Sequence, residues 1–125
     1  MIHLDTSALI ASFTGSRTAA RVLRGFISDG IRLGLSTPVL YEWLRGPRLP
    51  EELAHQEILL PSNAAFTFGI DEAALAADLY RRMARPRRRE IDIAIAACAI
   101  SNDAALWTLN PGDFSDIPGL ILADF

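Results

Sequence analysis

From Glu90 to Ser101 the chain reads EIDIAIAACAIS, apolar on almost every side except at Asp92. A helix with this pattern has no face to offer water, so it belongs in the middle of a domain with other elements covering it. The rest of the chain supplies the cover. Met1 to Asp5 is a short apolar run ending in a carboxylate, and Thr6-Ser7 leads into the apolar stretch Ala8 to Phe13, which reads as strand, polar turn and helix. Ser16 caps a second helix that Gly30 terminates, and Ile31 to Ser36 suggests a second strand. Thr37-Pro38 opens a helix over Val39 to Arg45 that Gly46-Pro47 ends, and Pro50 opens another to about Leu60. Ala65 to Gly69 reads as a third strand, and Asp71 as the cap of a helix to about Ala84 stopped by Pro86. Ala105 to Leu109 and Leu120 to Ala123 read as the fourth and fifth strands.

Strands alternating with helices imply βαβ crossovers, so the expected class is α/β: a mostly parallel, five-stranded sheet flanked by helices. A chain of 125 residues fits one domain, residues 1–125, with a core of its own. Charged residues interrupt every apolar run short of the roughly 20 residues a membrane span needs. No basic region precedes an apolar stretch at the N-terminus, so a soluble, cytoplasmic protein is expected. The one cysteine, Cys98, lies in an apolar run and reads as a small buried side chain. His3 and His55 have no neighbours that would make either a metal ligand or a general base.

The net charge is -3, which by itself argues weakly against a nucleic-acid partner, yet its distribution is lopsided. All twelve basic residues are arginines, and six of them (Arg81, Arg82, Arg85, Arg87, Arg88, Arg89) fall within residues 81 to 89. Dipole-favoured, solvated arginines near a helix C-terminus explain the cluster as well as RNA phosphates do.

Four acids are harder to dismiss. In an open α/β sheet, ligands bind beyond the carboxyl ends of the strands. Asp5 ends the first strand, Glu42 lies on the helix after the second, Asp92 begins the buried helix, and Asp113 lies in the loop leaving the fourth. Singly, each has an ordinary explanation: helix cap, exposed helical charge, first-turn acid, turn former. Jointly, four such accidents at one end of one sheet are a poor account. Like charges 4 Å apart repel by about 4 kcal/mol at an effective dielectric of ~20, so the group needs a counter-charge. Oxygen donors without histidine or thiolate suit Mg²⁺, with Mn²⁺ as substitute, and such clusters cleave phosphodiesters.

Those residues carry a resemblance. HLDTSALI around Asp5, STPVLYEWLRG with Glu42, REIDIAIAACAI with Asp92 and LWTLNPGDFSDIPGL with Thr108, Asn110 and Asp113 together resemble the PIN-domain family, and within it the VapC-type toxins of VapBC toxin-antitoxin pairs. The resemblance spans essentially the whole chain. It implies a PIN-like three-layer sandwich and a magnesium-dependent endoribonuclease that cuts structured RNA such as tRNA. It carries the metal and catalytic positions to Asp5, Glu42, Asp92 and Asp113, with Asp116 the alternative fourth acid. Thr6, Ser7, Thr108 and Asn110 fall where the family has supporting polar groups that face substrate, and Arg85, Arg87, Arg88 and Arg89 are candidates to grip RNA. The implied partners are RNA, a VapB-like antitoxin lying across the active-site groove, and a second copy in a homodimer. A receiver-type phosphotransfer site would need a lysine, and the chain has none; a P-loop is also missing. A PIN-like module that binds RNA or a partner without cutting is the non-enzymatic alternative.

Overall fold

Three parallel strands, β1 (Ile2–Leu4), β2 (Leu33–Gly34) and β3 (Ala105–Trp107), pair in the order β2-β1-β3 in the computed structural model, which describes residues 1–125. Ile2 registers with Leu33 on one side and Ala105 on the other. Two single parallel bridges, Ser36 to Phe66 and Leu106 to Leu122, extend the sheet at both edges. The expected third and fifth strands thus exist as one-bridge segments rather than full strands. At the first edge the reason is local. Phe66 donates to the Leu35 carbonyl and Thr37 to the Phe66 carbonyl, both at 2.9 Å, but Thr37 already begins a helix and Pro38 has no N–H to continue a ladder. The next amide, Phe68, bonds instead to Thr37 Oγ1 at 3.0 Å.

Six helices connect and cover the sheet: α1 (Thr6–Phe13), α2 (Arg17–Ser28), α3 (Thr37–Arg45), α4 (Pro50–Leu59), α5 (Ile70–Arg82) and α6 (Glu90–Ser101). Short 3₁₀ turns span Ser62–Ala64 and Pro111–Asp113. Ser16 caps α2 by accepting from the Ala19 amide at 3.2 Å. Asp71 does not cap α5: the helix starts one residue earlier, and Glu72 instead accepts the Gly69 amide at 3.1 Å. The same arrangement opens α4, where Glu52 accepts from the Leu49 amide at 2.8 Å.

Helix α6 occupies the position its composition demands. Every residue from Ile93 to Ala99 is buried, with α5, α3 and β3 packed around it. Its small side chains let those neighbours approach closely, while Leu4, Leu9, Val39, Trp43, Leu106 and Trp107 fill the remaining core. Cys98 is buried and unpaired, and burial pushes its thiol up to about 11, so it is inert. No helix is long and apolar enough to cross a membrane.

His3 is the unusual core residue. It is 1% exposed, its ring centroid lies 4.7 Å from that of Phe66, and neither ring nitrogen has a partner. Gly34 makes that stack possible, because a Cβ there would meet Phe66 at 2.7 Å and His3 at 3.1 Å. Burial, and secondarily the N-terminal ammonium, lower the imidazole from 6.5 to about 4. The unfolded chain therefore takes up this proton first as pH falls. The stability held above pH 6.5 is lost progressively down to about pH 4, by about 3 kcal/mol at 1.36 kcal/mol per pH unit. Urea titrations of wild type and His3→Leu at pH 7 and pH 4.5 are expected to show a steeper acid loss in wild type; parallel pH dependences would rule this account out.

Candidate active site

The carboxyl ends of the parallel strands bring the singled-out residues together. Asp5 directly follows β1, and its amide donates to the Trp107 carbonyl of β3 at 2.8 Å, which sets it beside Thr108. Its backbone occupies the N-cap position of α1, but its side chain makes no cap hydrogen bond, so helix capping does not explain it. Instead, 5% exposed, it accepts from two hydroxyls on the same oxygen, Oδ2: Ser7 Oγ and Thr108 Oγ1, each at 2.8 Å. Each hydroxyl in turn accepts a main-chain amide, Leu109 N–H on Ser7 and Asn110 N–H on Thr108, both at 3.0 Å. With those lone pairs engaged, the one proton of each hydroxyl points at Asp5. Oδ1 of Asp5 takes no hydrogen bond from the protein.

Glu42, in the middle of α3, is oriented in the same manner. Thr6 Oγ1 donates to its Oε1 at 2.6 Å, and Arg45 Nη2 lies 3.2 Å from Oε2. Because Thr6 and Ser7 adjoin Asp5 in sequence, this one turn steers two carboxylates from separate segments. Asp92 lies in the first turn of α6, partly buried. Its carboxyl is pushed up to about 6, first by burial, then by the charges of Asp5, Asp113 and Glu42 in that order, with Arg89 acting in the opposite sense. Asp5, Asp113 and Glu42 are therefore each within Coulombic reach of Asp92. Asp113 ends the exposed 3₁₀ turn after Asn110.

The two contenders for fourth acid differ in their surroundings. Asp116 is gripped by Arg89, with Nη1 to Oδ2 at 2.8 Å and Nη2 to Oδ1 at 2.5 Å, which holds its carboxyl below the usual range. The Asp113 carboxylate has no such partner and acts on Asp92. Geometry thus favours Asp113. The same contacts leave the Arg89 guanidinium engaged within the protein. Arg81 and Arg82 pair with Asp78. Arg85, Arg87 and Arg88 are exposed without a carboxylate partner, on the connection between α5 and α6.

Thr6, Ser7 and Thr108 therefore orient carboxylates. Asn110 is exposed, and its amide and carbonyl bracket the turn by bonding Thr108 and Asp113. Two features escaped sequence reading. Arg45 sits at i+3 from Glu42, a spacing that flags such a pair; Arg89 and Asp116 are 27 positions apart, and no local pattern links them.

The donor set suits a hard divalent cation, since every side chain offered is a carboxylate or hydroxyl oxygen. As they stand, no three acid, histidine or cysteine side chains close around a single point. Mg²⁺ typically takes one or two carboxylates directly while keeping several waters. On that chemistry, Asp5, Glu42, Asp92 and Asp113 fit such an ion.

Comparison with known proteins bears on the family and the fold. The PIN domain family matches residues 2–120. Ribonuclease VapC19 of Mycobacterium tuberculosis is 32% identical over 119 residues, 94% of each chain. Among solved structures, DNA-bound VapBC from Salmonella typhimurium superimposes with a TM-score of 0.74 at 24% identity, covering 98% of this chain and 96% of that one. VapBC2 from Rickettsia felis, bound to a DNA fragment from its promoter, gives 0.72 at 20% identity, covering 100% and 99%. At those identities the two structures bear on fold.

Proposed function

The chain belongs to the PIN-domain family, and from that membership we propose that it is a magnesium-dependent endoribonuclease serving as the toxin of a type II toxin-antitoxin pair. The observation that carries the reading is that the charges of Asp5, Asp113 and Glu42, from three other segments, all reach Asp92 at the carboxyl end of the sheet. Four acids from four segments, one of them held near pKa 6 by the others and by burial, form a costly arrangement that a hard cation relieves.

Asp5 and Asp92 would hold the ion, with Glu42 and Asp113 completing the set. When bound, Mg²⁺ or Mn²⁺ supplies neutralising charge and Lewis acidity toward a phosphodiester. The chain's own groups do the rest. Ser7 and Thr108 fix the rotamer of Asp5, while Thr6 and Arg45 do so for Glu42. Arg85, Arg87 and Arg88 offer positive charge to RNA phosphates that the acids repel, which makes binding weaken as salt rises. Asn110, exposed beside Thr108, is suited to meet the RNA directly. The substrate class is structured RNA such as tRNA. The partner is a VapB-like antitoxin across the same groove, and the assembly includes a homodimer; the solved relatives, which are VapBC complexes, favour the first of these.

The test is incubation of the purified chain with total RNA, in chelator or in Mg²⁺, followed by mapping of new ends. Discrete ends are expected with Mg²⁺ or Mn²⁺ alone. RNA that is bound yet stays intact in every metal would favour the non-cutting PIN module instead.

A further inference from the structure

Of the six clustered arginines, Arg89 is the one turned toward the acids. It is the N-cap residue of α6, three positions before Asp92. Its side chain is 19% exposed and spans to the turn that carries Asp113. Nη1 donates to Asp116 Oδ2 at 2.8 Å and to the Arg85 carbonyl at 3.1 Å. Nη2 donates to Asp116 Oδ1 at 2.5 Å and to the main-chain carbonyl of Asp113 at 2.8 Å. One planar fork thus holds a side chain and a main-chain oxygen of the same turn, a geometry that a lysine's single ammonium does not reproduce.

A cation beside a metal-binding cluster opposes the metal. Its presence there is accounted for if it does something else, and its contacts indicate what. The turn is otherwise joined to the fold chiefly through Phe114 and Ile117, which are buried in the core, while Asp113 itself is exposed. We propose that Arg89 and Asp116 form a clamp that sets the position of Asp113 relative to Asp92, and so sets how tightly the acid cluster takes up a divalent cation. Arg89 is on this view a positioning residue, and the role rests on the metal-dependent reading above.

The experiment is Mn²⁺ titration of the full chain by calorimetry, comparing wild type with Arg89→Met, Arg89→Lys and the double variant Arg89→Met/Asp116→Asn. Outer contacts that orient metal ligands are typically worth 10- to 100-fold in affinity. Both single variants are therefore expected to weaken Mn²⁺ binding by on the order of 10-fold, and the double variant no further than Arg89→Met, because a clamp fails once. Charge alone predicts the opposite sign: Arg89→Met would bind Mn²⁺ more tightly and Arg89→Lys would bind it as wild type does. Either result overturns the clamp. Excess Mn²⁺ should restore RNA cleavage in the variants with KM for RNA unchanged; a raised KM with intact Mn²⁺ affinity would make Arg89 a phosphate contact instead. If Arg89→Met fails to fold, Arg89→Lys, which keeps the charge, decides the matter. Wild type that takes up no Mn²⁺ would overturn the metal-dependent function itself, before any variant is compared.

Discussion

Asp5→Asn is expected to lose RNA cleavage by roughly 10³-fold or more while leaving the fold intact. The amide is nearly isosteric, and its one oxygen can still accept from Ser7 and Thr108, the two bonds that Oδ2 accepts at 2.8 Å. What changes is the second position. Oδ1 takes no hydrogen bond from the protein, and the substitution replaces that anionic oxygen with an NH₂ donor, which repels a cation. Metal catalysis is worth several kcal/mol of transition-state stabilisation, and each 1.36 kcal/mol is tenfold in rate, hence the size of the loss. Single-turnover cleavage in saturating Mg²⁺ measures it, with circular dichroism as the control for folding. Cleavage within tenfold of wild type would remove Asp5 from the site.

Asp92→Asn should stabilise the protein in chelator at neutral pH by about 3 kcal/mol, and abolish cleavage as well. Burial and three neighbouring acids raise Asp92 from 3.8 to about 6. A carboxyl whose folded value is raised contributes stability below its unfolded value and loses it as pH rises through the folded one. At pH 7 that loss is complete, and at 1.36 kcal/mol per pH unit it comes to about 3 kcal/mol. Asparagine does not ionise and escapes the loss. Saturating Mn²⁺ should reverse the order, because an ion that binds only the folded chain stabilises it in proportion to ln(1 + [L]/Kd). Urea unfolding of both proteins at pH 7, with EDTA and then with Mn²⁺, reads both effects. Equal stabilities in EDTA would mean that neither burial nor the neighbouring acids act on Asp92.

Both predictions concern residues legible in the sequence, for definite reasons. Asp92 stood out because it interrupts EIDIAIAACAIS, where burial leaves no surface on which a stray acid is harmless. Asp5 stood out because it ends the first apolar run, and the carboxyl ends of parallel strands are where α/β sheets bind ligands. The edges of the sheet were harder to read. Ala65 to Gly69 has the composition of a strand but a partner that turns helical at Thr37-Pro38, so pairing stops after one bridge. The orientation of Ser7 and Thr108 depends on amides about 100 positions away or in the next turn, and the Arg89–Asp116 pair on a contact between distant segments. Such long-range hydrogen bonds leave no periodic trace. The arginine run was legible as charge, but its division into paired, clamped and exposed members was not.

The four acids also differ in how deeply they are rooted. Asp5 leaves the central strand, and Asp92 rises from a helix whose next seven residues are all buried, so neither can shift without disturbing the interior. Asp113 rides on an exposed turn whose side-chain hydrogen bonds to the start of α6 all come from one arginine. Evolution can therefore retune this protein cheaply at that corner: substitutions at the exposed positions Leu109 to Gly112 and Ser115 reshape the mouth of the groove and leave its floor untouched. Differences in RNA preference among such chains should accumulate in that corner.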